Sequence, residues 1–360
     1  MAWGKRRAEP IRTLEGANVE MVASTSPGAA YWRWQERGIQ ALGVWTERKA
    51  GAGEDAEPLL IHRKPAAEGL IAVFDGAGGA GSAGAGSTPD GRERTGAWVG
   101  SRTARAATEE WYVRVAEDNA DPGPFGLKSL LDLRLGQMAI GNPSKLGGSM
   151  RRTLPTTLAS IRYEVGDDAV RWQVFWAGDS RCYLLEESGL QQLSLDDADS
   201  ADALTLLIED PPMTNLVSAD RRFVVNSALG DAPTPCVLLC ATDGFFGYVR
   251  GPADFEYFLL KSLSSAVDLD HWAGNLVETV CSYTGDDASL SLLALGFRDF
   301  EDLRGHYAAR LGLVRTEFWE PLRAAEERAD REGFVAARKG SWEHYRSGYE
   351  RRMPFKEEDR

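Results

Sequence analysis

Residues 70–86 read LIAVFDGAGGAGSAGAG. Five apolar residues, Leu70 to Phe74, end in a carboxylate, Asp75, and then in a chain of glycines. The apolar run reads as a strand. Gly76, Gly78 and Gly81 fit G-x-G-x-x-G directly after it, which is the dinucleotide-binding pattern. Asp75 argues against that reading, because it puts a negative charge beside a pyrophosphate at a helix start meant to attract anions. No second βαβ unit follows, and the glycine pattern alone carries little weight. The other reading is a strand ended so as to hold a cation. Gly76 then lets the backbone turn at once, so that its carbonyl can serve as an oxygen ligand.

Working outward, PLLIHR (58–63) reads as a strand that pairs with GLIAVF (69–74) through the loop KPAAE. The Gly/Ala/Ser run 76–91 reads as irregular. Helices are expected over 97–117 and near 126–140. Strands follow at 156–165 and 170–177, and Gly178-Asp179 reads as a hairpin turn into 180–187. Residues 194–222 are acidic and turn-rich, like a flap. FVVNSALG and the almost continuously apolar PCVLLCATDG read as strands, 253–283 as helical and TGDDASLSLLALGF as a final strand. Residues 1–43, which include WRWQERGIQALGVW, show no strong period and read as a lead-in to a domain spanning 44–299. Residues 300–360 form a charge-dense, helix-prone extension with Pro321 at a first turn. Its Trp342, Tyr345 and Tyr349 stand at helical spacing. Packing on the chain's own domain is the first reading of that stripe, and a docking surface for a protein partner the second.

Composition narrows the function classes. The chain has 360 residues, 43% hydrophobic and 26% charged, which suits a globular protein with a sizeable core. Its net charge of −13 repels polyphosphate backbones, so nucleic acid is not an expected partner. No apolar segment approaches the roughly 20 residues needed to cross a bilayer, and the basic N-terminus lacks the apolar stretch of a secretory signal. A membrane is therefore not expected as a partner, and the cytoplasm is the expected location. Cys182, Cys236, Cys240 and Cys281 form no C-x-x-C pair, and His62, His271, His306 and His344 are scattered. Cys236 and Cys240 would share one face of a strand as buried small hydrophobes. A zinc site of His and Cys is not expected.

Three apolar strands carry an aspartate at one end. Asp75 closes LIAVF, Asp243 closes CVLLCAT, and Asp286 precedes ASLSLLAL. Two acids at strand C-ends and one at a strand N-start meet at one rim only if the third strand runs antiparallel to the others. Glu54 and Asp55 also stand at a strand start, and the 58–74 hairpin returns the chain to that rim. The expected sheet is therefore antiparallel, not doubly wound and parallel. Carboxylates gathered there repel one another and are costly to desolvate unless a divalent cation balances them. An oxygen-only donor set selects hard ions such as Mg²⁺ or Mn²⁺, and two such ions about 3.5–4 Å apart can activate a water and clamp a phosphoryl oxygen.

FDGAGGAG, AGDSRCYLL, ATDGFFGYV and GDDASLSLLAL, with GEDA at 53–56, occur in the order and approximate spacing of the metal-dependent type 2C serine/threonine protein phosphatases. The chain resembles that family, in the manner of its bacterial members, over roughly residues 44–297. The resemblance implies an α+β fold, in which two antiparallel sheets pack as a sandwich with helices on both outer faces. It implies a phosphoprotein substrate and two Mn²⁺ or Mg²⁺ ions. Asp75 would bridge both ions with the Gly76 carbonyl on one of them, Asp243 and Asp286 would hold the other, and Glu54 and Asp55 would bind directly or through water. Asp75, Asp243 and Asp286 are thus the expected catalytic groups.

Asp179 and Arg181 read as a structural turn, and Asp287 as the less favoured acid of its pair. Three departures from the family pattern stand out. Ala77 replaces a histidine that many eukaryotic members carry. Ala50 sits at the offset of the family's phosphate-binding arginine, so Arg48 is chosen in its place, ahead of Lys49, because a guanidinium grips phosphate bidentately. Arg151 and Arg152 stand near the position where some members have a third-metal aspartate. Ala77, the displaced arginine and the long C-terminal extension keep open a second class, a pseudophosphatase acting as a scaffold or phosphoprotein-binding module.

Overall fold

The computed structural model describes residues 11–12, 18–19, 22–24, 26–87, 91–139, 152–200, 202–209, 211–328 and 330–354. Two antiparallel sheets dominate. The five-stranded sheet has the order β14 (Asn226–Pro233), β11 (Ala169–Ala177), β10 (Leu158–Val165), β7 (Glu68–Val73) and β6 (Leu59–Arg63). The seven-stranded sheet runs β13 (Gly189–Gln192), β12 (Arg181–Glu186), β15 (Cys236–Ala241), β16 (Ala288–Leu295), β5 (Ile39–Thr46), β4 (Ala29–Glu36) and β3 (Val22–Ala23). Two small pairs complete the strands, β1 (Ile11–Arg12) with β2 (Asn18–Val19) and β8 (Gly84–Ser87) with β9 (Glu93–Thr95).

Strand alternation explains the layering. In β15, Cys236, Leu238 and Cys240 point into the space between the sheets, where they meet Ile71, Val73, Ile161 and Cys182. Val237, Leu239 and Ala241 point the other way, onto helices. A strand apolar at every position is what burial of both faces requires. In β7 the same rule sends Ile71 and Val73 inward and Leu70 and Ala72 outward. All four cysteines are free thiols, and Cys281 alone among them is exposed.

Helices cover both outer faces. On the five-stranded sheet lie α2 (Gly96–Asp118) and α3 (Pro124–Ala139), preceded by the short α1 (Gly78–Gly81). On the seven-stranded sheet lie α6 (Pro252–Ser264) and α7 (Leu269–Tyr283), with the short α4 (Ala203–Glu209) and α5 (Asp243–Phe246) near its rim. The C-terminal segments α8 (Phe300–His306), α9 (Ala308–Val314), a π-helical turn at Arg315–Trp319, α10 (Glu320–Glu327) and α11 (Arg331–Tyr349) join the same layer. Trp342, Tyr345 and Tyr349 are buried in that core, so the aromatic stripe packs on its own domain. Among the described residues, no helix is long and apolar enough to cross a membrane.

Three expectations need correction. The run 76–91 is not wholly irregular: it contains α1 and β8, and the described part of it ends at Ser87. Gly81 is there because a Cβ would stand 2.6 Å from Pro155 and 2.8 Å from the Ala97 amide. Gly178-Asp179 is not a hairpin turn, since β11 and β12 belong to different sheets. Gly178, at φ +98°, turns the chain from one layer to the other. Last, the lead-in 1–43 contains β4 and most of β5, which pair with each other and with β16. Their period was masked by a large-small pair: Trp32 lies opposite Gly43, where a Cβ would stand 2.2 Å from the indole.

Candidate metal centre

The rim where the two sheets end collects the acids. Glu54 and Asp55 precede β6, Asp75 follows β7, Asp243 follows β15, and Asp286 and Asp287 precede β16. The five-stranded sheet thus supplies Glu54, Asp55 and Asp75, and the seven-stranded sheet supplies the rest. Asp55 is buried, while Glu54, Asp75, Asp243 and Asp286 are half-buried.

Backbone geometry at Asp75 is fixed by a pair of threonines. The Asp75 carbonyl accepts the Thr157 amide at 2.8 Å and the Thr156 hydroxyl at 2.7 Å, and the Asp75 amide donates to Thr157 Oγ1 at 3.1 Å. Gly76 packs on the Glu54 backbone so closely that a Cβ would lie 2.5 Å from its carbonyl oxygen. Gly244 does the same beside Asp243, where a Cβ would lie 2.0 Å from the Asp287 carbonyl. Each glycine lets an aspartate-bearing turn approach its neighbour.

The carboxyls feel one another. Burial first, then the charges of Asp55, Asp179 and Asp286, push the Asp75 carboxyl well above the usual carboxylate range. Burial, then Asp287 and Asp243, does the same to Asp55, and these two carboxyls share a hydrogen bond. Burial also raises Glu54, with Asp287 and Asp286 adding to it and a hydrogen bond from the Thr95 hydroxyl opposing it. The Tyr248 phenol, 3.4 Å from Asp286 Oδ2, is pushed up to about 12 by burial and by the charges of Asp286 and Asp243. Carboxyls raised in this way by burial and by one another are a setting that a divalent cation would relieve.

The residues fit a hard divalent cation in donor chemistry and charge: oxygen donors only, negative charge in excess, and glycine turns close behind them. Among the described residues, no group of three or more His, Cys, Asp or Glu side chains already converges on a single ion position.

Other residues fall into place around this cluster. Asp287 is a staple: its Oδ1 accepts the Arg48 amide at 2.8 Å and its Oδ2 the Glu54 amide at 2.6 Å. Arg48 has an exposed side chain, and its charge reaches Tyr248. Arg181 is buried in a fork with Asp196, with Nη2 to Oδ2 at 2.7 Å, over the Phe246 ring. Arg152 lies among the described residues and Arg151 outside them.

Sequence reasoning missed two features. Asp179 is more than a turn residue, since its charge acts on Asp75 and it lines a cavity with Asp243. The second is a basic ladder: the Arg94 and Arg102 guanidiniums lie 4.5 and 4.2 Å from the centre of the Trp98 ring, and Arg102 donates to the Glu54 carbonyl at 3.2 Å. The spacing i, i+4, i+8 at the entry to a helix was the signal available for it.

No protein-family model and no curated protein matches the sequence. Solved structures do. A bacterial serine phosphatase superposes with a TM-score of 0.50 at 16% identity, covering 72% of this chain and 98% of that one. The serine/threonine phosphatase Stp1 of Staphylococcus aureus gives 0.47 at 17%, covering 78% and 99%. The catalytic domain of the serine/threonine phosphatase PstP, solved in complex with two manganese ions, gives 0.44 at 17%, covering 74% and 98%. The first of these carries the conclusion about architecture: the chain has the fold of a bacterial serine phosphatase.

Proposed function

We propose that this protein is a type 2C phosphatase that hydrolyses phosphoserine and phosphothreonine in proteins, with two Mn²⁺ or Mg²⁺ ions as cofactors. The observation that carries the proposal is the convergence of Glu54, Asp55, Asp75, Asp243 and Asp286 from two sheets on one rim. The fold of the serine phosphatase supports it. When bound, the ions would supply charge neutralisation and an activated water for attack on phosphorus.

The chain's own residues supply the rest. Asp75, Asp243 and Asp286, with the Gly76 carbonyl, would hold the ions, and Glu54 and Asp55 would complete the set. Thr156 and Thr157 fix the Asp75 turn, and Asp287 fixes the loop that carries Arg48 and Glu54. Arg48 would hold the substrate phosphate from the solvent side. Ala77 offers no proton, so the alkoxide leaving group must be protonated by solvent or by another group at the rim. Hydrolysis of a phosphothreonine peptide should require added Mn²⁺ and stop with EDTA and in Asp75→Ala. Turnover that survives chelation would reject the proposal.

One other reading is a pseudophosphatase that binds phosphoproteins without turnover, which Ala77, the alanine at the arginine offset (Ala50) and the long C-terminal extension motivate. Calorimetry separates the two: phosphopeptide binding with no phosphate release in Mn²⁺ would select the scaffold.

A further inference from the structure

The C-terminal helix α11 is tied to the rim through one carboxylate. Asp202 Oδ1 accepts the Thr205 amide at 2.8 Å and the Thr205 hydroxyl at 2.9 Å, which caps α4. Asp202 Oδ2 accepts Trp342 Nε1 at 2.8 Å and pairs with Arg346 Nη1 at 3.2 Å, both from α11. Ala203 and Leu204 bury themselves with Trp342, Tyr345 and Tyr349. Lower on α11, Tyr349 accepts from Arg181 Nη1 at 3.3 Å. Beyond the helix, Arg351 and Arg352 reach Glu186 of β12 at 2.8 and 3.1 Å. The C-terminal half of the helix is therefore footed on the sheet and holds α4 through Trp342 and Arg346.

What α4 covers gives the tie a purpose. Leu206 and Leu207 of α4, with Met213 and Phe246, give the apolar part of the lining of a cavity of about 160 Å³, whose charged part is Asp179, Arg181, Asp196 and Asp243. A cavity of about 150 Å³ has room for a benzene-sized group, and here such a group would lie against Leu206, Leu207, Met213 and Phe246 with the charged residues beside it. A leucine, methionine or phenylalanine side chain is of that order.

We propose that α11 is a positioning element that holds α4 over this cavity, and that the cavity seats an apolar side chain neighbouring the phosphorylated residue of a peptide substrate. The identity of the substrate rests on the phosphatase reading, whereas the tie between α11 and α4 does not.

Trp342→Phe keeps the aromatic packing and removes the N–H, and Arg346→Ala removes a half-exposed charge that cannot by itself unfold the core. Two readouts are needed. Amide exchange at residues 205–209 should quicken about tenfold in Trp342→Phe and less in Arg346→Ala, with Arg346→Lys restoring the native rate. In Mn²⁺, Trp342→Phe should raise the KM for a peptide with leucine beside the phosphothreonine about three- to tenfold, while the KM for a glycine-flanked peptide and kcat on p-nitrophenyl phosphate stay within about twofold.

Unchanged exchange would overturn the tie. Quickened exchange with both peptides affected equally would overturn the apolar seat. Absence of any turnover would overturn the phosphatase reading and the seat with it, leaving exchange to judge the tie alone.

Discussion

The Thr242 hydroxyl donates to Asp55 Oδ2 at 3.0 Å and accepts the Ser289 amide at 2.8 Å, so one side chain joins the two halves of the acidic rim. Asp55 belongs to the approach to β6, and Thr242 immediately precedes Asp243. Thr242→Val keeps the shape and leaves both partners unsatisfied in a buried place, which should cost about 1–3 kcal/mol in urea denaturation. Thr242→Ser should lose much less. If Thr242→Val matches the native midpoint, the bridge is dispensable.

Mutual repulsion at the rim predicts opposite effects on stability and activity. Asp75→Asn should abolish phosphatase activity yet stabilise the ion-free chain by about 1–2 kcal/mol, since it removes a charge that burial and three neighbours oppose. Millimolar Mn²⁺ should raise the native melting temperature, by about 2.7 kcal/mol of stability at a hundredfold excess over Kd, and leave Asp75→Asn nearly unmoved. Thermal scans with and without EDTA check both.

Gly244→Ala forces a methyl to within 2.0 Å of the Asp287 carbonyl and 2.7 Å of the Ala288 Cβ. Backbone cannot yield as a flexible side chain does, so the expected cost is about 1–3 kcal/mol together with a displaced Asp243. Gly274→Ala in α7, where nothing lies within 4 Å, is the control and should be neutral or stabilising by up to about 1 kcal/mol. Equal midpoints for the two variants would contradict the close approach.

His62 gives a pH signature away from the rim. Its ring is buried, with Nδ1 at 2.9 Å from the Tyr163 hydroxyl, and burial lowers its pKa below 6.5, helped by Lys64 and opposed by Glu36. The folded chain therefore holds His62 neutral while the unfolded chain takes up a proton below about pH 6.5. Stability should fall as pH drops through that value and show no His62 contribution above it. His62→Gln should flatten this part of the curve in urea titrations between about pH 7.5 and 5.5. A native slope that persists in the variant would assign it elsewhere.

Much of the architecture was legible because it is written in local pattern. β7, β15 and β16 announce themselves as apolar runs, and an aspartate at the end of each marks the rim. What escaped depends on the assembled chain. The Trp32–Gly43 pair has no sense until two strands are side by side. Gly178-Asp179 looks like a hairpin until its flanking strands are seen in separate sheets. Asp287 looks like a spare ligand until its oxygens are found on the Arg48 and Glu54 amides. The Arg94–Trp98–Arg102 ladder was visible as spacing, but its position over the Glu54 backbone was not.

Division of the rim between two sheets has a mechanical consequence. Asp75 rides on one layer and Asp243 on the other, with Cys182, Leu238 and Ile161 interleaved between them. Sliding of the layers by an ångström would alter the gap between these acids before any rim residue changed rotamer. The deep interior thus acts as a gauge block for the pocket edge, and a volume change at Cys182 would be felt as a change in the distance between Asp75 and Asp243.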